Sequence, residues 1–389
     1  MIRHALAISL LTMAAVTPAC ADFAACKDGL KGEAVHSGVS AETAATALDG
    51  VTPDPKVLEL EGVQPEFKTP IWDYLAMLVD DERVADGKAA MAENAKALAL
   101  AEQRYGVSRY AIAAIWGVES DFGRGMGKFP LVQSLATLAC SNSRRPQYFR
   151  GELMAALKIA DRGDIPLEKL KGSWAGAFGQ TQFMPSTFLR LAVDLDGTGR
   201  DIVDNAAAAL GSTANYLHKS GWEPGESWGF EVKLPPDYDG PSGRKSRHPM
   251  SFWAAHGLTR VDGEPLSGGA SGLLLPAGRN GPAFLVTRNF DAIYSYNAAE
   301  SYALAAAILA QRLAGGPGVV TAWPTDDPGT SRAERREIQK LLIARGYDVG
   351  EPDGSVGAKT RAAIADFEGK SGLSVDGRAS QKVLQRLKQ

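Results

Sequence analysis

The chain has 389 residues, 45% of them hydrophobic, and a formal net charge of −3 at pH 7. That length suits one large globular domain and a smaller one. The near-neutral balance lacks the basic stripe that marks a nucleic-acid surface, so no nucleic-acid partner is expected; an anionic polymer held by local polar contacts stays open.

At the N-terminus, Arg3 and His4 precede the apolar run Ala5 to Val16, then Pro18 and the triplet Ala19-Cys20-Ala21. A basic start, a short apolar stretch and an A-x-A site describe a secretory leader over 1–21, cut after Ala21, and so a periplasmic protein. The run falls short of the roughly 20 residues a spanning helix needs, and no other segment reaches that length, so no transmembrane segment is expected. Lipidation at Cys20 is the less favoured reading, because Thr17 stands where a leucine-like residue is usual. Cys26 and Cys140 remain after cleavage. An exported protein tolerates a disulfide between them, worth about 4 kcal/mol in the chain-entropy model; two separate buried thiols are the alternative.

Residues 22–315 read as one helix-rich unit. Lys88 to Arg104 consists of good helix formers and predicts one helix. Helical apolar spacing recurs over 108–120, 148–162, 204–218 and 299–313. The region 225–290 is rich in Gly and Pro, with short runs at Phe230 to Val232 and Phe284 to Val286; it predicts loops and short strands. Residues 316–331, GPGVVTAWPTDDPGTS, have the composition of an extended hinge. Residues 332–389 predict helices at 332–345, 357–370 and 379–388, separated by the turns Asp353-Gly354 and Asp376-Gly377.

The segment VSRYAIAAIWGVESDFG, 107–123, draws the functional argument. Trp116, Ile115 and Ile112 lie three, four and seven residues before Glu119, on one helical face. A carboxylate on an apolar stripe is either a tuned general acid or a buried ion-pair partner. Gly123 is expected to let the helix end. Asp121 is a poor second carboxylate, since residues two apart do not share a helix face.

The segment IWGVESDFGRGMG resembles the catalytic helix of B-type lytic murein transglycosylases. The blocks SLATLA (134–139), RRPQYF (144–149), GSWAGAFGQTQFMPSTF (172–188), NYLHKSGW (215–222) and YSYNAAESYALA (294–305) agree in order and spacing. The resemblance implies a mainly α fold: a lysozyme-like helical catalytic domain with a small β/loop region. It also implies cleavage of the β-1,4 bond between N-acetylmuramic acid and N-acetylglucosamine in peptidoglycan glycan strands. The muramyl C6 hydroxyl closes on its own C1, so Glu119 serves as acid and then base, and no carboxylate pair of the usual glycosidase kind is needed. By position, the resemblance makes Ser173, Gln182, Tyr216 and Asn297 substrate-binding residues. It makes Tyr74, Tyr296 and Tyr302 candidates for stacking on or hydrogen-bonding sugars. Each has a plainer reading: Gln182 as a backbone-satisfying loop residue, Ser173 as a helix cap, the tyrosines as core. Gln180-Thr181 depart from the smaller or aromatic residues usual before the equivalent Gln.

Asp194, Asp196 and Thr198, with the carbonyl of Arg200, space oxygen donors like the start of an EF-hand loop. Asn205 stands where the bidentate Glu belongs. Some family members carry calcium or sodium here; the ion would be structural, and no cofactor is required for the chemistry. A solvated Asp/Gly turn is the alternative.

Residues 332–389 resemble the three-helix peptidoglycan-binding module through Leu341-Leu342, Gly346-Tyr347, Asp353-Gly354, Thr360-Arg361, Phe367, Gly372-Leu373 and Asp376-Gly377. Glu368 replaces the usual Gln. A module behind a hinge would raise the local concentration of the enzyme at its polymer. Two other readings stay open: a lysozyme-type hydrolase with a second carboxylate and a water, and a non-catalytic wall-binding scaffold. Protein partners are not legible.

Overall fold

A computed structural model describes residues 18–61, 69–141 and 143–389, so most of the expected 1–21 leader lies outside the described residues. The chain forms two compact units. The first comprises residues up to 61 together with 128–177 and 184–186; the second comprises 62–127, 178–183 and 187–389.

The first unit is helical. Leu131–Cys140 packs along Pro146–Asp161, and Pro18–His36, Ala41–Leu48 and Pro55–Leu60 pack around the pair. Its core holds Leu135, Leu138, Phe149, Leu153 and Leu157. Ser40 and Asp54 cap two of the short helices through Thr43 N and Lys56 N, satisfying donors a helix start leaves open. Cys26 and Cys140 form a disulfide across a sequence separation of 114. Glu152 is buried, and its carboxylate accepts from the backbone N–H and the hydroxyl of Ser186.

The second unit is built on the helix Arg109–Ser120, in which eight residues are buried. Such all-round burial marks a core helix. It packs on Glu300–Leu313, whose Ala-rich sequence permits a close approach. The expected helix over 88–104 is two, Asp81–Glu93 and Ala95–Tyr105, broken at Asn94. Asn94 leaves helical geometry and donates its side-chain amide to Ala90 O. This local competition with the helix is what makes Asn a weak interior residue.

The Gly/Pro-rich region holds a four-stranded antiparallel sheet, in the order Thr259–Arg260, Gly229–Lys233, Ala283–Val286, Gly272–Leu274. Phe284 and Val286 join the main core, while Ala283 and Leu285 face a second core around Trp253, Met250 and Phe230. Both faces are covered, which explains a continuous apolar run where a one-sided strand would alternate. Gly229 has φ +146°, and a Cβ there would lie 2.2 Å from Leu285 O.

The C-terminal module is Arg332–Ala344, Ala358–Ser371 and Gln381–Leu387 around Ile338, Leu342, Ile364, Phe367 and Leu384. Ser331 and Glu334 form a capping box on the first helix. Glu368 is buried, and its Oε2 accepts from the backbone N–H groups of both Asp376 and Gly377 in the second turn. Segment 316–331 is irregular but not free. The buried Glu231 carboxylate accepts from Val320 N and Thr321 N, both at 2.7 Å, and Gln311 bonds Pro317 O. A hinge composition is thus overridden by one buried carboxylate.

Candidate active site

Ser108 caps the helix Arg109–Ser120 through Tyr110 N, and the buried Ile112, Ile115 and Trp116 fix its rotation. Glu119 therefore sits half-buried in the last turn. The helix ends one residue after it, at an Asp121 cap with φ +52° and ψ +49°. Gly123 was expected to end the helix, but Asp121 does so first. Phe122 and Gly123 continue in left-handed geometry. That geometry strains a bulky residue, so packing must hold Phe122. Its ring lies edge-on to Trp116 at 5.6 Å and fills space left by two glycines: a Cβ on Gly117 or Gly87 would come within 2.5 Å or 2.6 Å of it.

Asp121 is held by Arg83, Arg124 and Arg332, at 3.3, 3.2 and 2.9 Å. Burial raises its carboxyl pKa, but the Arg332 hydrogen bond and the charges of Arg83, Arg332 and Arg124 outweigh it and hold the group below the usual range. Arg83 also donates to Gly117 O inside the helix. Spacing of two on a helix argued against Asp121 as a second carboxylate; the arginines occupy it besides.

The Tyr302 hydroxyl donates to Glu119 Oε1 at 2.6 Å. Tyr302 is 1% exposed, on the helix Glu300–Leu313, and its ring stacks on Tyr296 at 6.4 Å and 11°. Tyr296 packs at 4.7 Å on Tyr216, and both rings meet Phe183 at 5.9 Å. Tyr74 is buried in the same core as Tyr302. Burial, then the negative charge of Glu119, push the hydroxyls of Tyr302 and Tyr296 well above the ordinary tyrosine range. Both stay neutral donors across the working pH range. Tyr216 donates to Ser295 O, and Tyr296 to Thr181 O.

The loop Phe178 to Phe183 is tied to the end of the Glu119 helix. Ser120 Oγ donates to Gln180 O and accepts from Gly123 N. Gln182 has φ +51°, and its side-chain amide donates to Met126 O and Gly179 O, which is the backbone-satisfying contact its plainer reading foresees. The departing pair has work here: Gln180 bonds Val203 O, and Thr181 O receives Tyr296. Asn297 is the last, half-buried residue of Arg288–Asn297, before a left-handed Ala298. Ser173 belongs to the first unit, where its hydroxyl accepts from Ala177 N at 3.0 Å; it ties a loop and does not cap a helix.

The Asp194–Arg200 donors serve as turn residues. Asp194 accepts from Gly197 N, and Asp196 from the N–H and hydroxyl of Thr198. Arg200 lies over Phe188. Asn205 accepts from Ala207 N and Ala208 N as the cap of Ala206–Lys219, which accounts for Asn where an EF-hand has Glu. Among the described residues no group of three or more His, Cys, Asp or Glu is placed to hold a metal ion. Sequence reasoning missed Arg83, Ser120, Phe183 and Arg332. Their partners lie tens to hundreds of residues away, and spacing carries no such information.

The family described as the transglycosylase SLT domain matches residues 22–311. The chain belongs to this family of lytic transglycosylases. A peptidoglycan binding domain family matches residues 331–387. The membrane-bound lytic murein transglycosylase B of Escherichia coli is 38% identical over 245 residues, covering 62% of this chain and 66% of that relative, just under two thirds of its length. Among solved structures, SltB3 from Pseudomonas aeruginosa in complex with NAG-anhNAM-pentapeptide is similar at 45% identity and TM-score 0.75, covering 94% of this chain and 99% of that one. The Escherichia coli lytic transglycosylase Slt35 in complex with calcium is similar at 33% identity and TM-score 0.65, covering 74% and 92%. The SltB3 likeness, over 94% of the chain, accounts for the mainly helical body and its small sheet, and the peptidoglycan binding domain match for the C-terminal module.

Proposed function

We propose that this lytic transglycosylase cuts the β-1,4 bond between N-acetylmuramic acid and N-acetylglucosamine without adding water. Glu119 gives its proton to the bridging oxygen as the C1–O bond breaks. The resulting carboxylate then takes the proton of the muramyl C6 hydroxyl as O6 bonds C1, leaving a 1,6-anhydro end and a restored acid. The observation that carries the reading is a helix-end Glu, half-buried and bonded to Tyr302, whose nearest sequence carboxylate is bound to three arginines. A hydrolase of the usual kind needs a second free carboxylate.

Ser173, Gln182, Asn297, Tyr216 and Tyr296 are our choices for holding the sugars, with Tyr74 and Tyr302 lining the acid. We assign 22–315 to the catalytic part and 332–389 to the wall-binding module. Export to the periplasm after removal of 1–21 rests on the leader pattern; no described helix is long and apolar enough to cross a membrane. Lytic transglycosylases need no cofactor. A calcium or sodium ion on Asp194–Arg200 would be structural: calcium should raise the melting temperature of wild type and not of Asp194→Ala, and equal shifts would remove the site.

The test is product analysis. Wild type should release muropeptides from purified sacculi one water lighter than lysozyme products, and Glu119→Gln should release essentially none while remaining folded. Products at the hydrolytic mass, or wild-type rates in Glu119→Gln, would overturn the assignment.

A further inference from the structure

The C-terminal module meets the catalytic body through three arginines and five acidic residues. Arg378 makes a two-pronged pair with Asp73, at 2.8 and 2.9 Å. Arg336 pairs with Glu82. Arg332 N donates to Asp80 Oδ2 at 2.9 Å, and its guanidinium reaches Asp86 at 3.3 Å. These contacts dock one surface on another. One contact differs in kind: Arg332 Nη2 donates to Asp121 Oδ1 at 2.9 Å, and Asp121 is the left-handed residue that ends the helix two positions after Glu119.

That helix end has reason to need a clamp. Asp121 and Phe122 are both non-glycine residues at positive φ, a conformation that persists only when surrounding contacts over-determine it. Phe122 is held by packing over Gly87 and Gly117. Asp121 has no such pocket; its N–H bonds Gly117 O in the last turn, and its side chain, 26% exposed, is held by three ion pairs. Of the three arginines, Arg124 is the most exposed, at 52%, and the most screened; Arg332, at 17%, makes the shortest contact. Arg83 divides itself between Asp121 and Gly117 O, one turn back in the same helix. Proton transfer to a glycosidic oxygen is sensitive to sub-ångström placement of the carboxyl. A loosened last turn would move Glu119 directly.

We infer that Arg332 is a positioning residue for Glu119: the wall-binding module completes the catalytic helix by clamping its left-handed end through Asp121. The inference rests on the proposed role of Glu119. It gives the module a part in the chemical step separate from any affinity for the wall. The pinning of 316–331 by Glu231 fits this, because a fixed approach keeps Arg332 in register with Asp121.

The test uses the full chain acting on soluble uncrosslinked glycan strands, with kcat and KM measured separately. Arg332→Ala should lower kcat about tenfold and leave KM within about twofold. Arg332→Lys, which keeps a charge and a donor, should recover most of the loss. Arg336→Ala and Arg378→Ala weaken docking without touching Asp121; they should lower the melting temperature comparably and keep kcat within about twofold of wild type. Asp121→Asn removes the charge that Arg83, Arg124 and Arg332 all hold and should lose at least as much kcat; Arg332→Gln, which keeps a donor but not the charge, decides the question if Arg332→Ala misfolds. Wild-type kcat in Arg332→Ala or Asp121→Asn overturns the inference, as does an equal kcat loss in Arg336→Ala and Arg378→Ala. Glu119→Gln, run alongside, separates the two levels. Its inactivity with a normal Arg332→Ala sinks only the clamp, whereas its activity sinks the acid/base reading.

Discussion

Replacing Tyr302 with Phe removes one oxygen and little else. The ring keeps its stack on Tyr296 and its place in a core where it is 1% exposed. What is lost is the 2.6 Å hydrogen bond to Glu119 Oε1. A hydrogen bond to a charged group contributes about 1.5–3 kcal/mol net, and about 1.4 kcal/mol is a factor of ten in rate. If the bond holds the carboxyl in its productive orientation, Tyr302→Phe lowers kcat about 10- to 100-fold. Anhydromuropeptide release from sacculi, quantified by chromatography and mass spectrometry, reads the loss. A folded Tyr302→Phe enzyme with wild-type kcat would refute the reasoning, and Tyr302 would then be a core residue that happens to touch Glu119.

Two further outcomes follow from packing and covalent constraint. Cys26→Ser with Cys140→Ser opens a link across a sequence separation of 114; the double variant should lose about 2–5 kcal/mol and melt roughly 10 °C lower by differential scanning calorimetry, while wild type in reductant should match it. Gly117→Ala places a methyl 2.5 Å from the Phe122 ring. It should cost about 1–3 kcal/mol by denaturant unfolding and reduce kcat more than KM, because Phe122 helps define the turn after Glu119; an unchanged unfolding midpoint would show that the ring can move aside.

Local periodicity made most helices of both parts legible. Arg109–Ser120 and Glu300–Leu313 carry apolar residues nearly all round, so their existence and bounds follow from composition. The break at Asn94 was hidden because the flanking residues are strong helix formers, and one side-chain amide decides it. Short strands emerged at Phe230 and Phe284, but the register pairing Phe230 with Leu285 depends on residues far apart in sequence. At the candidate site, the stripe showed Glu119 as a carboxylate on an apolar face and left open a general acid or an ion-pair partner; the family pattern chose between them. Tyr302, 183 residues away, entered only through the family pattern, and then as a sugar-binding candidate, not as a partner of the acid. The end of the helix was misjudged for a physical reason. Gly123 is the residue that adopts left-handed geometry freely, yet three arginines make it accessible to Asp121 two positions earlier.

Glu231 and Glu368 share a device: a buried carboxylate that grips two neighbouring backbone N–H groups of a passing segment. Because the grip is on the backbone, the identities of Val320 and Thr321 matter little to it. Mutational drift can rewrite the side chains of the segment joining catalytic body to wall-binding module, changing its surface and what it avoids, while its path stays fixed. The burden of retention falls on Glu231, whose two carboxylate oxygens each accept one N–H; replacement by Gln would turn its amide donor toward one of them. Related chains should therefore vary along the strap and hold still at the residue beneath it.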